Sequence, residues 1–168
     1  TQIKEEGKGK KYDCLIGLSG GVDSTYVAYK LMEFGLRPLV LHLDNEWDSE
    51  IAKQNISKTV SKLNLNIEHC RVDWSEFKDL QLAFLKASVP DLEIPTDHAI
   101  VSLFYKAAKE RGIKYFISGS NLATESHLPA AWSTGHRDWK YIKSIQELSS
   151  PRRNRPNLLQ TSITFEYC

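Results

Sequence analysis

The residues best equipped for chemistry lie together at Ser19-Gly20-Gly21-Val22-Asp23-Ser24, directly after the apolar residues Leu15, Ile16 and Leu18. Two adjacent glycines let the backbone bring its N–H groups against an anion, and a helix starting there offers unpaired amides and the positive end of its dipole. Ser19 and Ser24 add hydroxyl donors, and Asp23 is a carboxylate suited to holding magnesium beside phosphates. The stretch reads as a phosphate site. It lacks the Gly-Lys-Ser/Thr ending of a Walker A loop, which argues against ordinary P-loop phosphoryl transfer.

Such a site needs a strand before it and a helix after it, and the flanking pattern predicts both. Leu15, Ile16 and Leu18 form a short run suited to a strand buried on both faces, and Val27, Leu31 and Phe34 recur at helical spacing before Gly35. A second run, Leu39-Val40-Leu41-His42-Leu43, ends in Asp44. Ala52, Ile56, Val60 and Leu63 make the next helical stripe, and residues 67–73 read as a third, less apolar strand. Residues 75–87 are helix-like, and two prolines predict a loop over 88–95. Thr96 is placed to cap the following helix, which carries Ile100, Leu103, Phe104, Ala107 and Ala108 and ends at Arg111-Gly112. Tyr115-Phe116-Ile117 is the fourth strand, running into Ser118-Gly119-Ser120.

This alternation predicts an α/β fold, an open parallel sheet with helices on both faces. Such sheets bind ligands at the carboxyl ends of their strands, near the point where strand order reverses. Ser19, Asp44, Asp73 and Ser118-Gly119 sit at the four predicted exits. For Asp73, a helix cap is as good a reading as a ligand contact.

At 168 residues the chain suits one domain, expected over 1–148, with 149–168 as an irregular or mobile tail because Pro151-Arg152-Arg153-Asn154-Arg155-Pro156 carries no packing stripe. Residues 126–148 show no firm period and read as a substrate loop or a short helix. The formal charge is +1, from 22 basic and 21 acidic side chains, so no overall field draws in a polyanion and a nucleic-acid partner gains no support. Cys14, Cys70 and Cys168 form no zinc-type pair. No apolar run is long enough to span a membrane, and a cytoplasmic location is expected. Because the first residue is Thr, the chain is expected to be processed or cut from something longer.

The motif at residues 19–24 resembles the PP-loop of the ATP pyrophosphatases, which split ATP between its α and β phosphates and grip the pyrophosphate. The resemblance implies a Rossmann-like, adenine-nucleotide-α-hydrolase type of domain. Three further segments narrow it: Leu41-His42-Leu43-Asp44-Asn45-Glu46-Trp47, Val72-Asp73-Trp74-Ser75-Glu76-Phe77, and Ile94-Pro95-Thr96-Asp97-His98-Ala99-Ile100. With Ser118-Gly119-Ser120-Asn121-Leu122-Ala123-Thr124-Glu125, they are similar to the N-acetyl-sugar amidotransferases of lipopolysaccharide and surface-sugar biosynthesis, over residues 4 to about 145. The resemblance implies ATP and Mg2+, a nucleotide-linked N-acetyl sugar as acceptor, and ammonia from a separate glutaminase subunit.

That reading assigns Ser19, Gly20, Gly21, Val22, Asp23 and Ser24 to the β and γ phosphates, and His42, Leu43 and Asp44 to the adenosine. Gly119 and Asn121 would face them across the crevice, Asp23 and Glu125 would hold the metal, and Asp97 and His98 would meet the acceptor or handle protons. A capping Asp97 with a partly exposed His98 is the structural alternative. Members of that family are longer at both ends, and the basic residues expected to complete the phosphate site have only Lys140 and Lys143 as substitutes. Two other functions fit the same motif: a PP-loop tRNA-modifying enzyme, of thiolation or lysidine type, and a non-catalytic ATP-binding module.

Overall fold

The computed structural model describes residues 2–120, 136, 138–149 and 165–167. Its centre is a five-stranded sheet built from β1 (Cys14–Gly17), β2 (Pro38–Asp44), β3 (Asn66–Val72), β4 (Phe116–Ile117) and β5 (Phe165–Tyr167). Their order across the sheet is β4-β1-β2-β3-β5, with the first four parallel and β5 antiparallel to β3. The chain steps outward from β1 to β3 and then returns to place β4 on the other side of β1. Strand order therefore reverses between β1 and β4, where a parallel sheet opens a ligand crevice.

The helices are α1 (Gln2–Glu6), α2 (Val22–Glu33), α3 (Glu50–Leu63), α4 (Trp74–Lys86), α5 (Ile94–Arg111) and α6 (Trp139–Ser149). Period-two alternation divides the strands between two cores. Cys14, Ile16 and Val40 pack with Ala28 and Leu31 of α2 and Ile56 of α3 on one face. Leu15, Leu39 and Leu41 meet Leu103, Phe104 and Ala107 of α5 on the other. The expected open parallel sheet with two helical faces is thus the observed one.

Several boundaries differ from expectation. The helix α5 begins at Ile94, inside the expected loop, with Glu93 as its N-cap and no side-chain cap bond from Thr96. Pro95 is tolerated because it falls in the first turn, where its missing N–H has no intrahelical partner to lose. Asp73 is the N-cap of α4 and accepts from the Glu76 N–H at 3.0 Å, so the capping alternative describes it. In the weakly patterned stretch before residue 149, Asp138 accepts from the amides of Lys140 and Tyr141 and starts α6. Ile142 and Ile145 of α6 pack on Leu80, Ala83 and Phe84 of α4. The strand β5 lies within the segment expected as an irregular tail.

Ahead of β1, Asp13 is buried and receives Arg37 through its backbone N–H at 2.8 Å and its guanidinium at 2.7 and 3.2 Å. The Arg37 hydrogen bonds hold the Asp13 carboxyl below the usual carboxylate range, against the opposing effect of burial. A carboxyl held below its unfolded value contributes stability that is complete above about pH 4 and is lost as pH falls through the folded value. Asp13→Asn should therefore cost about 1–2 kcal/mol at neutral pH, moderated by the exposure of Arg37, and flatten the acid limb of stability. Urea unfolding of both proteins at pH 7 and pH 3 checks this; equal pH dependence would refute it.

Candidate active site at the carboxyl ends of β1 and β4

The loop after β1 is held in shape by its own hydroxyls. Ser24 Oγ donates to the Gly21 carbonyl at 3.2 Å and accepts from the Ser19 N–H at 3.3 Å, while Ser19 Oγ accepts from the Gly21 N–H at 3.4 Å. Gly20 has φ +80, and a Cβ there would lie 2.5 Å from the Ala52 carbonyl oxygen of α3. The chain can pass only without a side chain at that position. Asn55 of α3 secures the turn by donating to the Gly20 carbonyl at 3.1 Å. The next residue, Gly21, is the N-cap of α2, with no side-chain cap bond. The first amides of α2 therefore remain available, which is the arrangement that accepts an anion.

Beside this loop lies a cavity of about 440 Å³, within the range of small-molecule sites. Ser19, Asp23 and Ser24 line it, together with Ser118, Gly119 and Ser120. Gly119 packs against the start of α2, where an added Cβ would come within 3.3 Å of the Ser24 backbone nitrogen. Ile100, Leu103 and Phe104 of α5 supply an apolar side, and Leu41, His42 and Leu43 of β2 line the cavity too. The lining contains no lysine or arginine among the described residues.

Not every residue expected at the site is free to serve it. His42 is buried, and its ring is engaged on both sides, by the Leu18 carbonyl at 2.8 Å and the Asp48 carboxylate at 2.9 Å. It supports the floor and joins the β1 exit to the loop after β2. Asp44 does not line the cavity: its carboxylate takes the Arg71 guanidinium at 3.0 and 3.2 Å and the Glu46 N–H at 3.1 Å. Burial pulls the Asp44 carboxyl upward, but those donors outweigh it and hold it below the usual range. Gly20, Gly21 and Val22 line a neighbouring groove rather than this cavity.

Asp97 and His98 also lie off the cavity, although Thr96 of the same turn lines it. His98 is buried rather than partly exposed, with its ring stacked on Trp139 at 5.7 Å and Nδ1 at 3.3 Å from the His136 carbonyl. Asp97 pairs with His136 Nδ1, and Asp91 meets His136 Nε2 at 3.0 Å. These contacts fasten the start of α5 to the segment that leads into α6. Lys140 and Lys143 are on α6, which packs against α4, and neither lines the cavity. Asn121 and Glu125 lie outside the described residues. The sequence reading missed Asp48 and gave Thr96 only a capping role, and only the closure of the sheet brings them to the cavity.

The family profile for the thiamine biosynthesis protein ThiI matches residues 9–126. The chain belongs to the ThiI family. No curated protein matches it in sequence. Among solved structures, the chain resembles three synthetases. The NH3-dependent NAD synthetase from Campylobacter jejuni has 20% identity and a TM-score of 0.54 over 89% of this chain and 69% of that one. For the NMN synthetase from Francisella tularensis the values are 16% and 0.53, over 92% and 83%. The glutamine-dependent NAD+ synthetase from Acinetobacter baumannii, solved with ADP, gives 17% and 0.60 over 95% of this chain and 31% of that one. At these identities the likeness concerns the fold. Family and fold together place the chain among the PP-loop, ATP-utilising enzymes, and they do not extend to the N-acetyl-sugar branch.

The residues present fit a nucleotide phosphate and its metal. Asp23 is exposed on the first turn of α2 and makes no hydrogen bond or ion pair among the described residues. No cluster of three or more metal-ligating side chains exists among those residues. Magnesium suits such a setting, since it commonly takes one or two carboxylates and completes its shell with phosphate and water. No described helix is long and apolar enough to cross a membrane.

Proposed function

We propose that this chain is the activating subunit of an ATP-dependent amidotransferase acting on a nucleotide-linked N-acetyl sugar. ATP adenylylates the acetamido oxygen and leaves pyrophosphate; ammonia then forms the new C–N bond while the oxygen departs with AMP, giving an acetamidino sugar. An amide oxygen is a poor leaving group, and activating it is what the energy of ATP supplies. The observation that carries the reading is the cavity between the uncapped start of α2 and Gly119, with hydroxyls and Asp23 on one wall and apolar side chains on another.

The residues divide the work. Ser19, Ser24 and the free amides of α2 receive the phosphates, and Asp23 is the carboxylate through which magnesium would join them. Ile100, Leu103 and Phe104 form a side that sheds water, which would otherwise compete with ammonia for the activated carbon. An apolar side also disfavours the ammonium ion relative to ammonia, the nucleophilic form.

The same pocket on a tRNA acceptor is the second reading, and the family match supports it as well as the first. Cys14 and Cys70 are buried, and burial pushes the Cys14 thiol up to about 11, so neither is placed to carry sulfur in a thiolation; Cys168 lies outside the described residues. An RNA acceptor would also need phosphate contacts outside the cavity, whose described lining has no lysine or arginine. The test is to supply ATP, a UDP-N-acetyl sugar and ammonium and to follow AMP, pyrophosphate and the amidine by mass spectrometry. Equal yields of all three are expected. Release of ADP and orthophosphate would refute the chemistry, and ATP-dependent modification of tRNA with no amidine would transfer the assignment to RNA.

A further inference from the structure

Beyond the cavity, a groove of about 580 Å³ runs between α2 and α3. Tyr26 and Tyr29 form its α2 side, and both rings are largely exposed, at 59% and 49%. Lys58 and Lys62 stand one turn apart on the α3 side, and neither has an ion pair or hydrogen bond among the described residues. The groove has no carboxylate on its wall among the described residues. Lys62 lies in the last turn of α3, where a cation suits the helix dipole, but Lys58 sits a turn earlier and has no such local reason. Thr25, Asn55 and Thr59 provide neutral polar groups alongside.

Two free cations beside two exposed aromatic rings match an anion of about two charges joined to a flat, stackable group. The number of cations decides the size of the ligand. A nucleic-acid strand would call for a longer basic track, with several phosphates neutralised together, whereas this groove offers only two lysines on its described wall. A nucleoside diphosphate has the charge and the base for what is present. Position adds to the argument, because the groove ends at Gly20, Gly21 and Val22, the outer side of the loop whose inner side is Ser19, Asp23 and Ser24. The stretch from Ser19 to Ser24 thus contributes to the lining of both concavities.

We infer that the α2–α3 groove is a second nucleotide site, which holds the nucleoside diphosphate handle of the acceptor while the acetamido end enters the cavity beyond the loop. The inference rests on the nucleotide-sugar reading given above. The base stacks on Tyr26 or Tyr29, and Lys58 and Lys62 take the diphosphate. The acceptor is thereby gripped by a part that does not react, which frees the cavity for ATP and the amide.

The experiment is calorimetric titration of UDP into the full chain with the cavity saturated by α,β-methylene-ATP, repeated on the variant Lys58→Glu, Lys62→Glu. UDP should bind the wild type alongside the ATP analogue, and the double variant should lose at least tenfold in affinity. In turnover, that variant should raise KM for the UDP-N-acetyl sugar at least tenfold and leave KM for ATP within twofold. Tyr26→Ala, Tyr29→Ala removes the stacking surface without altering charge and should weaken UDP by a similar factor, with circular dichroism confirming that both variants fold. Displacement of UDP by the ATP analogue, equal affinity in the variants, or no UDP binding to the wild type would each overturn the groove assignment. Continued formation of the amidine under any of those outcomes would leave the proposed function standing.

Discussion

Asp23→Asn is expected to lower kcat/KM for pyrophosphate release by about 10²–10³-fold, the scale on which removing a preorganised stabiliser of developing charge acts. The side chain is exposed at the start of α2 and has no described partner, so its loss should cost the fold no more than the ~0.3–1 kcal/mol of a favourable helix-dipole position. ATP binding separates the carboxylate's role from a structural one. Without magnesium, Asp23 repels phosphate, and its neutral counterpart should bind ATP as well or better. With magnesium, the wild type should gain affinity and Asp23→Asn should not. Titrating both proteins with ATP in the presence and absence of magnesium checks the sign, and an identical magnesium response in the two would remove Asp23 from the metal site.

Gly20→Ala should be the most damaging change in the loop, and Gly21→Ala, one residue on, should be nearly neutral for stability. At Gly20 the backbone has φ +80, and an added Cβ would lie 2.5 Å from the Ala52 carbonyl oxygen and 2.9 Å from its Cα. Left-handed strain and a clash with backbone of α3 together should cost roughly 2–5 kcal/mol. Gly21 has φ −78, and a Cβ there would make only an ordinary contact, 3.4 Å from Ser19 Oγ. Urea unfolding should separate the two variants clearly. Equal stabilities would mean that the turn is not fixed by its contact with α3.

The same loop lines two concavities. Ser19, Asp23 and Ser24 face the cavity, while Gly20, Gly21 and Val22 face the groove between α2 and α3. On the proposed reading, that arrangement would let one element orient both reactants, provided that Gly20 keeps it pressed against α3.

The alternation of apolar runs with helical stripes was enough to determine the parallel sheet and its helical faces, because strand and helix periods depend on local residue order. The Gly-rich turn between Leu18 and α2 was likewise legible, since a backbone anion site depends on contiguous residues. What the sequence could not decide was which polar side chains at the strand exits remain available. Asp44 is taken by Arg71 of the neighbouring strand, 27 residues away, and His42 is taken by the Leu18 carbonyl and Asp48. His98 is covered by Trp139 and fastened to residue 136. Each of these outcomes depends on a partner brought close only when the sheet closes and the helices pack, so tertiary contact, and not residue type, divides the chemistry-bearing groups into those that hold the fold and those that face the cavity.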